Sequence, residues 1–206
     1  MLGVKASEFY TFLIYVTPVG SYFKSGLKSL NTIVTDKYHR VATKSIGFAK
    51  AVGNYAGTLL PYKEIVEDGY DEIIFLNASN ENIIDEARSA NIFVLKGNVL
   101  KTPMLQGSIL PGITRDSVIK VASKIFNLDV REEDVSLDEL MNADEVFFTG
   151  TAAVIAPVGR IVYKNNETGL KISFEESMTR KIRGRLIDIQ YENIEDPFGW
   201  VIPLGR

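Results

Sequence analysis

The sequence contains no cysteine, which removes disulfides, thiolate nucleophiles and cysteine-held metals from consideration. It has one histidine, His39, so neither a His-based triad nor a histidine zinc site has the residues it needs, and no metal is expected. Charge of one sign is not in excess: 23 Lys and Arg stand against 26 Asp and Glu, for a net charge of -3 and a pI near 5.4. That balance argues against a nucleic-acid partner and against a polybasic membrane surface. Long apolar runs are missing too. The longest near the N-terminus, FYTFLIYV, is too short to span a bilayer and lacks the basic start and small-residue exit of a signal peptide. No internal repeat or low-complexity tract occurs. A soluble, cytoplasmic protein in a reducing compartment is expected.

What is present is an ordinary globular chain, 206 residues with 46% apolar content, enough for one large domain or one domain plus a fragment. Residues 8–16, EFYTFLIYV, have the aromatic and β-branched composition of a strand and end at the turn signal Thr17-Pro18-Val19-Gly20. Residues 31–36 read as a second strand. From Gly47 to about Val66 the apolar spacing fits a helix in part, with Gly69 as its stop. Residues 72–77, 82–87 and 91–103 read as successive strands, the last folded at Gly97-Asn98 into a hairpin. A helix is expected over about 115–126, and SLDE at 136–139 is a capping box for a short one. EVFFTG and VIAPVGRIVY are strands again. SFEE at 173–176 reads as a second capping box, opening an amphipathic helix towards residue 190. Strands and helices interleaved in this way predict a mixed α/β fold, with helices packed around a mixed sheet.

Several segments carry residues suited to chemistry. In FAKAVGNY, Lys50 stands alone among small apolar neighbours, either as a stem laid along the surface or as a desolvated amine. In LPGITR, Pro111 and Gly112 turn the chain so that Ile113 and Thr114 open a helix whose N–H groups suit an anion; an ordinary capped helix start reads the same way. In TGTAA, small residues follow a strand, so backbone amides can approach a ligand and Thr151 offers a hydroxyl; a plain strand-to-loop transition is the alternative. Glu86, in IIDEARSANIF, is a strand-borne carboxylate that needs a cationic partner if it faces inward, and a surface ion pair is the more frequent explanation. Together, a lysine, a tyrosine, a carboxylate and two phosphate-type loops are the parts that hold pyridoxal phosphate.

The order GFAKAVGNY, DEARSANIF, TPMLQGSILPGITR and ADEVFFTGTAAVIAPV resembles the fold-type IV (class IV) aminotransferases, and among them most the branched-chain amino acid aminotransferases. The resemblance runs from about residue 8 to the C-terminal FGW. It implies the large cofactor-binding domain of that fold, a pseudo-barrel of mixed β-sheets flanked by helices. It further implies transamination of leucine, isoleucine and valine with 2-oxoglutarate, by a homo-oligomer whose substrates are amino acids and 2-oxo acids. By the same resemblance, Lys50 matches the lysine that bonds the cofactor's aldehyde and shuttles the proton, a role calling for a desolvated amine. Tyr55 matches the tyrosine on the cofactor's phenolic oxygen, Glu86 the partner of the pyridine nitrogen, and Leu110 the residue packed on the ring. Ile113 and Thr114 match the phosphate-binding helix start, and Thr151 a second phosphate hydroxyl. Ala152 and Ala153 match the turn whose amides receive the substrate's α-carboxylate. Tyr22 falls at a substrate-pocket aromatic, and Arg40 at an arginine near the cofactor.

The pattern also breaks. Arg88 and Ala90 stand where glycine and glutamate are common in the family, Val154 and Ala156 replace frequent polar residues, and NASNEN lacks the usual Asp and Gly of its turn. Family members begin with a small domain on the order of 100 residues. Here residues 1–17 are expected to be its last strand, 18–28 the interdomain loop and 29–206 the large cofactor domain. A chain of this kind is expected to bind the cofactor weakly and turn over poorly alone. Open alternatives are a D-amino acid aminotransferase, a 4-amino-4-deoxychorismate lyase, and a non-catalytic truncated homologue or partner module.

Overall fold

Alternating side chains decide the architecture. In the computed structural model, which describes residues 3, 5–18, 27–169 and 173–202, strand β4 (Asn91–Lys96) sends Ile92 and Val94 into one apolar cluster and Phe93 and Leu95 into another. Strand β7 (Glu145–Gly150) repeats this, with Val146 and Phe148 on the first side and Phe147 on the second. A strand buried on both faces has no polar side to present, which is why IFVL and VFF run unbroken. Phe93 and Phe147 stack across the ladder with ring centroids 5.1 Å apart.

Seven further strands complete one mixed sheet: β1 (Leu30–Thr35), β2 (Glu72–Asn77), β3 (Asn80–Ala87), β5 (Val99–Thr102), β6 (Asp129–Glu132), β8 (Val154–Tyr163) and β9 (Asn166–Gly169). Their order is β3-β2-β1-β8-β7-β4-β5-β6, with β9 on β8. β1 runs parallel to β2 and β8, and β5 parallel to β6, while the remaining pairs are antiparallel. β8 serves two neighbours in turn. Its first residues, 154–157, pair with β7 and its later ones with β1, so the sheet curls into a half-barrel.

The helices are α1 (Val52–Ala56), α2 (Leu59–Glu67), α3 (Ile113–Lys124), α4 (Leu137–Met141) and α5 (Met178–Gln190). α3 and α5 cover the second cluster, lowering Val118, Val121, Ala122, Ile182, Leu186 and Ile189 onto Phe93 and Phe147. Each large side chain so buried stabilises the fold by about 1.5–3 kcal/mol. The expected mixed α/β class and most of the elements are therefore present, including the Ser136–Glu139 capping box.

Four expectations are corrected. The helix from Gly47 starts only at Val52, because residues 47–51 are a turn pinned by the buried Asn54, whose amide donates to the carbonyls of Ile46 and Ala49. No capping box forms at Ser173. Phe174–Glu176 make a single 3-10 turn, and α5 is capped by Ser177 and by Glu145, whose carboxylate accepts from the N–H groups of Met178 and Thr179. The strand expected over 8–16 does not form: among the described residues no strand pairs with it, and its apolar side chains from Phe9 to Val16 are 74–94% exposed. β6 and β9 are short, polar strands that composition did not announce. Among the described residues no helix is long and apolar enough to cross a membrane.

Candidate active site

Three loops and two strand ends meet over a cavity of about 560 Å³, a size that suits a cofactor with a small substrate. The loop between β1 and α1 brings Arg40 and Lys50, and α1 brings Tyr55. β3 ends beside the cavity at Glu86 and Arg88. The stretch 110–114 contributes Leu110, Ile113 and Thr114, and the β7–β8 turn contributes Thr151, Ala152 and Ala153. Of the positions singled out in the sequence, only Tyr22 is not among these lining residues; it lies outside the described residues.

The loops meet because small residues allow it. A Cβ on Gly47 would fall inside the Ser108 backbone, so glycine lets the Lys50 loop lie against the stretch that leads to Leu110. The Phe48 N–H then donates to the Gly107 carbonyl at 3.1 Å. A Cβ on Gly112 would likewise collide with the Asn91 side chain. Asn91 is thereby free to donate to the Leu110 carbonyl at 2.8 Å and to Glu86 at 3.3 Å.

Glu86 is the electrostatic centre. It is 3% exposed, forms an ion pair with the buried Arg40, and accepts from the Leu110 N–H. Burial nevertheless pushes its carboxyl up to about 8, with Arg40 opposing the rise and Asp85 adding to it. Arg40 also donates to the Ser108 carbonyl at 2.5 Å, and the Ser108 hydroxyl donates to Asp85 at 3.0 Å. Asn77 donates to the same Asp85 oxygen, and burial raises the Asp85 carboxyl as well. Asn54, Asp85, Asn91 and Ser108 are the supporting residues to which the sequence reading assigned no role. Asn54 and Asn91 each sit inside a quoted motif, where a buried amide between two loops was the signal available.

Lys50 departs from expectation. It is exposed, with Nζ 5.1 Å from the centroid of the Tyr55 ring, rather than desolvated. Its neighbours Ala49 and Ala51 are half-buried and Val52 is exposed.

The lining fits pyridoxal phosphate on three observations. Glu86 is a buried carboxylate that lines the cavity with Arg40 as its cationic partner. The first turn of α3 opens at Gly112 with no side-chain cap. Thr149 Oγ1, also in the lining, is buried without a hydrogen-bond partner. Anion-binding N–H groups at one end and an acceptor for a ring N–H at the other match that cofactor's two poles.

Known proteins resemble this chain in sequence and fold. The family model for amino-transferase class IV matches residues 3–161. Branched-chain-amino-acid aminotransferase 2, chloroplastic, of Arabidopsis thaliana is 42% identical over 205 residues, covering 100% of this chain and 52% of the relative. The crystal structure of the Escherichia coli branched-chain amino acid aminotransferase superposes with a TM-score of 0.76 at 35% identity, covering 89% of this chain and 59% of that one. A T.th. branched-chain amino acid aminotransferase, complexed with N-(5'-phosphopyridoxyl)-L-glutamate, gives 0.71 at 28% identity, covering 83% and 55%. The chain spans about half the length of the curated relatives it matches. With the family model matching most of its length, the chain belongs to the class IV aminotransferases.

Proposed function

We propose that the chain is a pyridoxal-phosphate-dependent aminotransferase of the branched-chain amino acids, with 2-oxoglutarate as amino acceptor. The observation that carries this reading is the convergence of Lys50, Tyr55, Glu86 and the uncapped start of α3 on one cavity. The relatives' names support the substrate class, and the glutamate adduct bound by the T.th. enzyme supports the acceptor. When bound, the cofactor supplies an electron sink for the carbon that carries the substrate's amine.

The residues divide the remaining work. Lys50 would hold the cofactor at its aldehyde and would move the proton at the substrate's Cα. Glu86, oriented by Arg40 and Asn91, holds a proton on the ring nitrogen. Tyr55 hydrogen-bonds the phenolic oxygen, and Leu110 packs on the ring. Ile113 and Thr114 N–H groups bind the phosphate with the Thr151 hydroxyl, and the Ala152 and Ala153 amides orient the α-carboxylate. Within this reading residues 29–206 are the cofactor domain, 18–28 a connector, and 1–17 a strand that pairs with a further domain. The chain is taken as a cytoplasmic homo-oligomer; exposed Ile46, Phe48, Val52, Leu59 and Leu60 near the site support a covered face.

That exposure, with the uncovered Lys50, also favours a second reading. The chain keeps the fold and the cofactor pocket, and turns over only when a partner chain closes the site. The absorption spectrum with added pyridoxal phosphate, compared with Lys50→Ala, tests the first reading. A visible band in the wild type alone, followed by glutamate formation from leucine and 2-oxoglutarate, is expected. No band in either protein sinks the cofactor assignment. A band without turnover, until a chain spanning the relatives' remaining length is added, selects the second reading.

A further inference from the structure

The proposed roles leave one lining cation unused. Among the described residues the cavity is lined by three, Arg40, Lys50 and Arg88. Arg40 is committed to Glu86 and to the Ser108 carbonyl, with its side chain 2% exposed. Lys50 is required at the aldehyde. Arg88 is one of the positions where the sequence departs from the family pattern, two residues beyond Glu86.

Its guanidinium is ion-paired with Glu72 but still lines the cavity. The carbon lies 3.8 Å from the centroid of the Tyr62 ring, which fixes the plane by stacking. Nε is 3.6 Å from Glu72 Oε1, beyond hydrogen-bond range, and is buried with no hydrogen-bond partner. Burial pushes the Glu72 carboxyl up, with Arg88 opposing the rise. The side chain keeps 24% exposure on the cavity wall. The next residue, Ser89, sets its carbonyl 3.9 Å from where a Gly150 Cβ would stand, so this strand end abuts the turn that offers Thr151.

A bound phosphate ester carries close to two negative charges at neutral pH. A helix start supplies about half a positive charge, and hydroxyls supply none. A planar guanidinium, already stacked on an aromatic ring, matches the remaining demand in charge and in fork geometry. We infer that Arg88 supplies the cation for the cofactor's phosphate, alongside the first turn of α3 and Thr151. This rests on reading the cavity as a pyridoxal phosphate site.

The test is equilibrium dialysis of the full chain with pyridoxamine phosphate and with pyridoxamine. These probes differ only in the phosphate and require no bond to Lys50. The readout is the ratio of their Kd values. Arg88→Gln is expected to shrink the wild-type ratio by about 10-fold or more, the scale of a charge-assisted hydrogen bond, with the pyridoxamine Kd little changed. Arg88→Lys is expected to fall between the two. Glu72→Gln removes the competing carboxylate while leaving Arg88 in place, and is expected to raise the ratio. If Arg88→Gln weakens both probes alike, Arg88 only builds the wall, and the inference is overturned while the cofactor reading stands. An unchanged ratio in Glu72→Gln overturns it too, even if Arg88→Gln fails to fold. A wild-type chain that binds neither probe overturns both.

Discussion

Glu86→Gln separates the electrostatics of the site from its shape. Burial holds the wild-type carboxyl near 8, against an ordinary value of 4.5, despite the Arg40 ion pair. A group whose folded value is raised binds its proton more tightly in the folded state. Its stabilising contribution is complete below about pH 4.5 and is lost as the pH rises towards 8. At about 1.4 kcal/mol per unit, the rise from pH 4.5 to 7 removes about 3 kcal/mol, a large share of a stability of roughly 5–15 kcal/mol. Asp85 and Glu72 are also raised by burial and slope the same way, so the wild-type curve alone does not isolate Glu86. The comparison with glutamine does. The variant has no ionisable group at this position and lacks this contribution altogether, so the slope is the readout and any constant offset from the altered contact with Arg40 is not. Urea unfolding of the cofactor-free chain at pH 5, 6, 7 and 8 should show the wild type losing stability with pH more steeply than Glu86→Gln. Parallel curves would refute the claim that this carboxyl is proton-bearing in the folded chain at neutral pH.

Three further outcomes are expected. Glu145→Ala should cost about 2–4 kcal/mol by urea unfolding, because the Met178 and Thr179 N–H groups and the Thr179 hydroxyl all lose a charged acceptor; a cost below about 0.5 kcal/mol would contradict the capping role. Asp196 accepts from the N–H groups of Phe198, Trp200 and Val201, and these bonds hold its carboxyl below the usual range. The order of that loop should therefore persist above the ordinary carboxylate range and be lost as the pH falls through the lowered value. The fluorescence of Trp200, the sole tryptophan, should red-shift there and should already be shifted at neutral pH in Asp196→Ala. Gly47→Ala should displace the Lys50 loop from Ser108 and weaken pyridoxal phosphate binding at least about 10-fold, with most of the fold's stability retained; unaltered binding would mean that the close approach does not position the lysine.

How much of the fold was legible depended on where each element's stabilising partners lie. β2, β4, β7 and α3 announced themselves because their apolar patterns and turn residues are local. The Ser136–Glu139 box was legible for the same reason, as both partners lie within one turn. The start of α5 was not, because the carboxylate that caps it, Glu145, sits 33 residues earlier in the chain. The segment 8–16 shows the converse error. Its composition is that of a strand, but a strand is defined by a partner, and none of the described residues supplies one.

The site follows the same logic. Residue types that the chemistry demands were readable in order: a lysine, a strand carboxylate and a helix opened by Pro-Gly. The structure brings those described onto one cavity. The state of Lys50 was misread because a loop's composition reports what lies beneath it. Gly47 lies on Ser108, and Asn54 bonds Ile46 and Ala49, so small neighbours at 47–51 are explained without any cover over the amine. Nothing in FAKAVGNY specifies what lies above. Arg88 was missed for a related reason: a charge just past a strand's end reads as solvated. Only the stack on Tyr62 and the ion pair with Glu72 show that it is held in the cavity wall. Both errors came from treating a neighbourhood in sequence as a neighbourhood in space, and both fall on the face of the cavity where charge must be matched by a ligand or by another chain.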